Sequence, residues 1–138
     1  MRDVFGMMMK SSVKQLPLSQ ESRLPAVLDE LFGEDAPLVV SNIAFGGSIF
    51  GFVYVFMDGG TAEFLATRML SGVTSEAPDR ETVNDAVGEF TNITIGGFKN
   101  QLGHLGYPCN ITIPSILRGK GVSVETVSGC ARAMYHFK

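Results

Sequence analysis

The chain has 138 residues, 45% of them hydrophobic, and a formal net charge of -3. That size and apolar content predict a single domain over 1–138 with a core of its own, and exclude a disordered segment or a mini-protein that needs covalent staples. An acidic balance with no Lys/Arg run lacks the electrostatic footprint of a nucleic-acid binder, so DNA and RNA are excluded as partners.

Two further classes drop out. The longest apolar run, 49–57, falls far short of the about 20 residues that a membrane span needs. Met7, Met8 and Met9 are not part of an apolar run with a cleavage site, so the expectation is a soluble cytoplasmic protein without membrane insertion. Cys109 and Cys130 have no CxxC spacing, and His104 and His136 stand apart from them, which predicts two reduced structural thiols and no metal site.

In chain order, 3–9 has the composition of a helix end, and 10–18 with Pro17 reads as a linker. Leu24, Val27, Leu28, Leu31 and Phe32 form a helical stripe within 22–33, with Pro25 near its start and Gly33 as its stop. Segments 37–45 and 49–57, rich in Val, Ile, Phe and Tyr, flank Gly46-Gly47-Ser48. This is hairpin chemistry and predicts an antiparallel pair. Thr61 is a candidate N-cap for a helix over 62–71 that faces Phe64, Leu65, Met69 and Leu70 inward and stops at Gly72. After a short link over 73–78 comes the longest helical pattern of the chain, 79–105. Strands are then expected over 108–116, 122–127 and 130–137, with an edge position or a bend at Pro114, which lacks an N–H. Helix, two strands, two helices and three strands make an α+β domain, an antiparallel sheet with long helices packed on one face.

The 79–105 segment has two chemically different sides. At about 100° per residue, Val83, Ala86, Val87, Phe90, Thr94, Phe98 and Leu105 gather on a side expected to be core. Glu81, Asp85, Gly88, Glu89, Asn92, Gly96 and Lys99 gather on the other. Asp85, Glu89 and Asn92 fall at i, i+4 and i+7, a stripe about two turns long. Gly88 and Gly96 lie in the same stripe, and a glycine inside a helix costs about 1 kcal/mol against alanine. Close approach of another group is a reason to keep them there. From spacing alone, a solvated helix face is the simpler reading of this stripe.

A family resemblance shifts that balance. The run from Asp85 through Glu89 and Asn92 to Gly96 resembles the signature helix of the CheC/CheX/FliY chemotaxis phosphatases, in which a Glu-x-x-Asn pair is followed by a glycine four residues on. The later run Ile113-Pro114-Ser115-Ile116-Leu117-Arg118-Gly119-Lys120-Gly121 is similar to the Pro-containing strand and Gly turn that follow in the CheX branch. The resemblance runs from about Ile43 to Tyr135, making 37–138 the matching part and 1–36 an N-terminal helical region. Gly97 departs from the family, which often has Asn there. The single Glu-x-x-Asn pair implies one site, as in CheX-type members. Family members usually add one more strand, and the CheX branch forms dimers that exchange C-terminal strands, so a homodimer is the expectation.

The resemblance implies a CheC-like fold and hydrolysis of the aspartyl phosphate on a CheY-like response regulator. Asn92 would position the attacking water, since a carboxamide both donates and accepts. Glu89 would pair with the receiver's active-site lysine. Asp85, Gly88 and Gly96 would belong to the docking surface. No cofactor of its own is implied, and the Mg2+ required would sit on the partner receiver. Lys99 reads as a surface cation, and His104 as a cation favoured near a helix C-terminus. Two other classes stay open: a non-catalytic receiver- or flagellar-switch-binding protein of the same fold, and a small-ligand domain. The latter has only the glycine-rich turns at 46–47 and 119–121, without a phosphate-loop pattern.

Overall fold

The computed structural model describes residues 15–17, 24–70, 77–125 and 129–137. The elements are β1 (Gln15–Pro17), α1 (Leu24–Phe32), β2 (Leu38–Gly47), β3 (Gly51–Asp58), α2 (Gly59–Met69), α3 (Arg80–His104), β4 (Cys109–Ile111), β5 (Ser115–Gly119) and β6 (Tyr135–Phe137). The architecture is α+β, a four-stranded antiparallel sheet centred on β2 with the two longer helices on one face.

β2 organises the sheet. Along one edge it pairs with β3 from Leu38↔Asp58 to Phe45↔Gly51, and along the other with β5 and then β4. Because side chains alternate along a strand, Val39, Ser41 and Ile43 point to one face and Leu38 and Val40 to the other. The first face receives the helices: Val39 and Met57 join Ala62, Leu65 and Ala66 of α2 and Val83, Ala86, Val87 and Phe90 of α3 in one buried cluster. On the second face Leu38 and Val40 pack with Leu28 of α1, beside Phe32, Tyr54 and Phe56. The short helix thus covers the face that the long helices leave.

β4 and β5 are one strand interrupted. Phe45 pairs with Ile111 but Asn42 pairs with Ser115, so residues 112–114 stand opposite only Ile43 and Ala44. One extra residue is a β-bulge. Thr112 closes the gap: its N–H donates to the Ala44 carbonyl at 3.0 Å, and its hydroxyl accepts from the Ala44 N–H at 3.1 Å. Pro114, with no N–H to place, occupies the bulge. The bend expected there is present.

Several expectations need correction. The expected 108–116 strand is β4 and β5 with this bulge between them. No strand forms over 122–125, and only 135–137 of the last segment is a strand, paired with β1 rather than with the main sheet. The chain at 15–17 is accordingly strand, not linker. α2 starts earlier than Thr61: Asp58 is its N-cap and accepts from the Thr61 N–H at 2.6 Å. Phe64 lies outward with Arg68 over its ring at 5.3 Å. An aromatic covered by its own helix's cation needs no core site. The expected helical end at 3–9, the stop at Gly72 and the first part of the 73–78 link lie outside the described residues.

The Gly46-Gly47-Ser48 segment does not form the turn by itself. Gly46 and Gly47 extend β2 to pair with Asn110 and Cys109. A Cβ on Gly47 would stand 2.5 Å from the Pro108 carbonyl oxygen and 2.8 Å from the Cys109 Cα, both backbone atoms, whereas one on Gly46 would meet nothing within 4 Å. Gly47→Ala is therefore expected to destabilise by about 1–3 kcal/mol. The neighbouring Gly46→Ala should stay within about 0.5 kcal/mol of wild type. Urea melts of the two variants check this, and equal losses would show that the approach of β4 does not need a glycine.

Candidate functional site

α3 is capped as its sequence requires. Asp79 is the N-cap, its carboxylate accepting from the Thr82 N–H at 2.8 Å, and Leu105 is the C-cap. The Thr82 hydroxyl, and then its N–H, hold the Asp79 carboxyl below its ordinary value of 3.8 by stabilising the charged form. Between the caps, Val83, Ala86, Val87, Phe90, Thr91, Thr94 and Ile95 are buried. Thr91 satisfies its hydroxyl by donating to the Val87 carbonyl at 2.7 Å. Thr91 and Ile95 were absent from the expected core face.

Phe98 and Leu105 were assigned to that core and do not belong to it. Phe98 is 43% exposed and Leu105 72% exposed. Phe98 meets Phe45 edge-on, with ring centroids 5.9 Å apart. Phe45 lies near the end of β2, so the last turns of α3 have little sheet left to bury against.

The polar side of α3 lines an open groove of about 470 Å³ with β5 and its bulge. Asn84, Asp85, Gly88, Glu89 and Asn92 come from the helix, and Pro114 and Ile116 from the other wall. Asp85, Glu89 and Asn92 are all exposed. Four of the residues singled out in sequence, Asp85, Gly88, Glu89 and Asn92, thus share one groove with Pro114, and Gly96 does not line it. A Cβ on Gly88 would sit 3.7 Å from the Pro114 Cγ, an ordinary contact, and one on Gly96 would meet nothing within 4 Å. Neither glycine is required for room within this chain. The groove wall carries two carboxyl groups, which only accept when ionised, and two carboxamides, each able to donate and accept.

Sequence reasoning missed Asn84 and Arg118. Arg118 of β5 donates to Asn84 Oδ1 through Nε at 3.0 Å and Nη2 at 2.8 Å, joining the two walls. The signal was faint: Asn84 lies one turn before Gly88 at i, i+4, but its partner is 34 residues away. A second groove, of about 310 Å³, gathers Lys99, Asn100, Gly103, His104, Pro108 and Cys109 at the far end of α3. Cys109 is a buried free thiol and Cys130 an exposed one. Among the described residues no group of three or more His, Cys, Asp or Glu is placed to hold a metal, and no helix is long and apolar enough to cross a membrane.

A sheet with long helices on one face recurs in solved structures of chemotaxis proteins. The chemotaxis protein CheX of Vibrio vulnificus superposes with a TM-score of 0.71 at 26% identity, over 93% of this chain and 79% of that one. A CheX from Desulfovibrio desulfuricans gives 0.69 at 19% identity, over 93% and 78%. Thermotoga maritima FliY gives 0.68 at 17% identity, over 94% and 68%, and these two show the fold alone. Functionally curated proteins give no match. The fold is thus CheC-like. The family model described as chemotaxis phosphatase CheX matches residues 39–138, and the chain belongs to that family.

The Asp79 cap makes α3 sensitive to acid. Its carboxyl is the stronger acid when folded, so its stabilising contribution is complete above 3.8 and is lost as pH falls through the lower folded value. Asp79→Asn keeps a capping oxygen without the charge. The variant's melting temperature is expected to lie below wild type at pH 6, and the gap to close on acidification below 3.8. Thermal melts by circular dichroism across that range check this, and a gap that does not narrow as pH falls would contradict it.

Proposed function

We propose that this chain is a phosphatase of a phosphorylated CheY-like response regulator, with Asn92 as the residue that positions water and Glu89 as the residue that pairs with the receiver's lysine. The observation that carries the reading is that Glu89 and Asn92 are both exposed and line one groove, opposite Pro114. Membership of a chemotaxis phosphatase family supports it.

An acyl phosphate is already labile, so placing a water in line with phosphorus contributes more than a strong base. The water oxygen bonds to phosphorus as the bond from phosphorus to the aspartyl carboxylate oxygen breaks. Aspartate and inorganic phosphate result, with the water's proton passing to the phosphate or to solvent. Asn92 holds that water through its carboxamide without changing ionisation. Glu89, one turn earlier, forms a charge-assisted pair with the receiver's lysine and so sets the register of the two proteins. Asp85, Gly88 and Gly96 complete the docking surface, the glycines leaving room on it for the partner. The receiver brings the Mg2+, and this chain brings no cofactor. The reaction belongs to the cytoplasm, where response regulators act.

Asn92→Ala should lower hydrolysis of a phosphorylated receiver at least about a hundredfold while binding persists. Glu89→Ala should weaken binding as well. Both side chains are exposed, so neither change should move stability by more than about 0.5 kcal/mol. Phosphate release measured beside thermal melts separates the effects. Two folded variants with undiminished turnover would overturn the catalytic assignment, in favour of a receiver- or flagellar-switch-binding protein.

A homodimer is part of the same proposal. Phe52 is 65% exposed and Leu117 51% exposed, and both point to the sheet face away from α2 and α3. Beside them β3 has no strand on its outer edge among the described residues. An apolar face next to an open edge is what a second copy covers. Light scattering should give twice the chain mass for wild type and a lower mass for Phe52→Glu. A wild-type monomer across a wide concentration range would rule the dimer out.

A further inference from the structure

Asn84 and Arg118 stand beside the groove of Asp85, Glu89 and Asn92, and the reaction above gives neither a task. Arg118 sends two donors, Nε at 3.0 Å and Nη2 at 2.8 Å, to a single atom, Oδ1 of Asn84. A guanidinium carries only donors, so this fork settles which way the carboxamide is turned. Its oxygen faces Arg118, and Nδ2 with both hydrogens faces away. Asn84 lines the groove, one turn before Gly88 and two turns before Asn92, and therefore shares their side of α3.

The groove otherwise lacks fixed donors. Asp85 and Glu89 offer only acceptors when ionised, and they would repel acidic groups of a partner. In the proposed reaction the Asn92 carboxamide is taken up by the attacking water. Eight residues of helix separate Asn84 from Asn92, about 12 Å at 1.5 Å per residue, so Asn84 lies outside the reaction centre. Its donor, with the exposed positive charge of Arg118 behind it, instead lies at the end of the groove away from Asn92. That charge is held by a neutral amide rather than by a carboxylate.

Resting on the phosphatase reading, we propose that Asn84 is a docking residue that donates Nδ2–H to a carboxylate of the receiver flanking the phosphorylated aspartate, with Arg118 as the positioning residue that holds the amide in that orientation. Together they supply the electropositive end of an otherwise acidic groove. A partner that carries an acidic side chain at this point is admitted, and one without it is bound less well.

Asn84→Asp separates this role from a tie between β5 and α3. The substitution keeps an oxygen for the Arg118 fork, so the tie persists and the melting temperature should not fall. It replaces the amide donor by a second acceptor, and KM for an acetyl-phosphate-charged CheY-like receiver should rise about tenfold while kcat stays within about twofold of wild type. Arg118→Ala should raise KM similarly by freeing the amide to flip, and Arg118→Lys should recover part of the loss. Wild-type KM in folded Asn84→Asp, alongside lost turnover in Asn92→Ala, would overturn this inference and leave the phosphatase reading standing. No turnover by the wild-type protein on such a receiver would overturn both.

Discussion

Residues 91–97 of α3, Thr-Asn-Ile-Thr-Ile-Gly-Gly, are weak helix formers without exception, yet they continue a helix of 25 residues. Two adjacent glycines alone cost about 2 kcal/mol against alanine in an isolated helix. Burial against β2 and its neighbours reverses the sign. Val83, Val87 and Phe90 are each at most 3% exposed, and full burial of such a side chain contributes about 1.5–3 kcal/mol. A helix held by its tertiary face rather than by intrinsic propensity can place any residue on its outer face without unfolding. The arrangement of Asp85, Glu89 and Asn92 depends on that freedom.

The inner and outer faces of α3 therefore answer to different demands. On the inner face every volume matters, and Val39, Met57 and Phe90 form one cluster with both helices. On the outer face the opposite wall is one proline and one strand, so the groove stays open to solvent. A Cβ on Gly88 would meet Pro114 at ordinary contact distance, and one on Gly96 would face open space. Their cost to the helix finds no return inside the chain.

Much of this was legible in the sequence, for specific reasons. The limits of α3 were read to within one residue because a long helical periodicity marks them. The β2–β3 pair followed from alternating β-branched and aromatic residues, and the grouping of Asp85, Glu89 and Asn92 from helical spacing alone. What failed was long-range. Phe98 fits the period of the core face, but periodicity does not say where the sheet beneath a helix stops. Thr61 resembles a cap, yet Asp58 stands at the strand end where the chain actually turns. Residues 122–125 alternate like a strand but find no partner edge. The Asn84–Arg118 bond joins a helix to a strand across 34 residues, and nothing local announces it.

The bulge at 112–114 also acts as a reading frame for the groove. Ile111 pairs with Phe45 and Ile116 with Ser41, and both point toward the helices although five positions separate them. An unbroken strand would put them on opposite faces. Loss of a single residue here would leave two residues opposite Ile43 and Ala44, a regular ladder in which Ile111 and Ile116 stand four positions apart and keep the same face. Straightening the bulge with all three residues kept would instead turn Leu117 inward, and Ile116 and Arg118 away from α3. Point changes along β5 thus alter the groove wall one side chain at a time, whereas a loss of the bulge that shifts the register exchanges the whole wall at once.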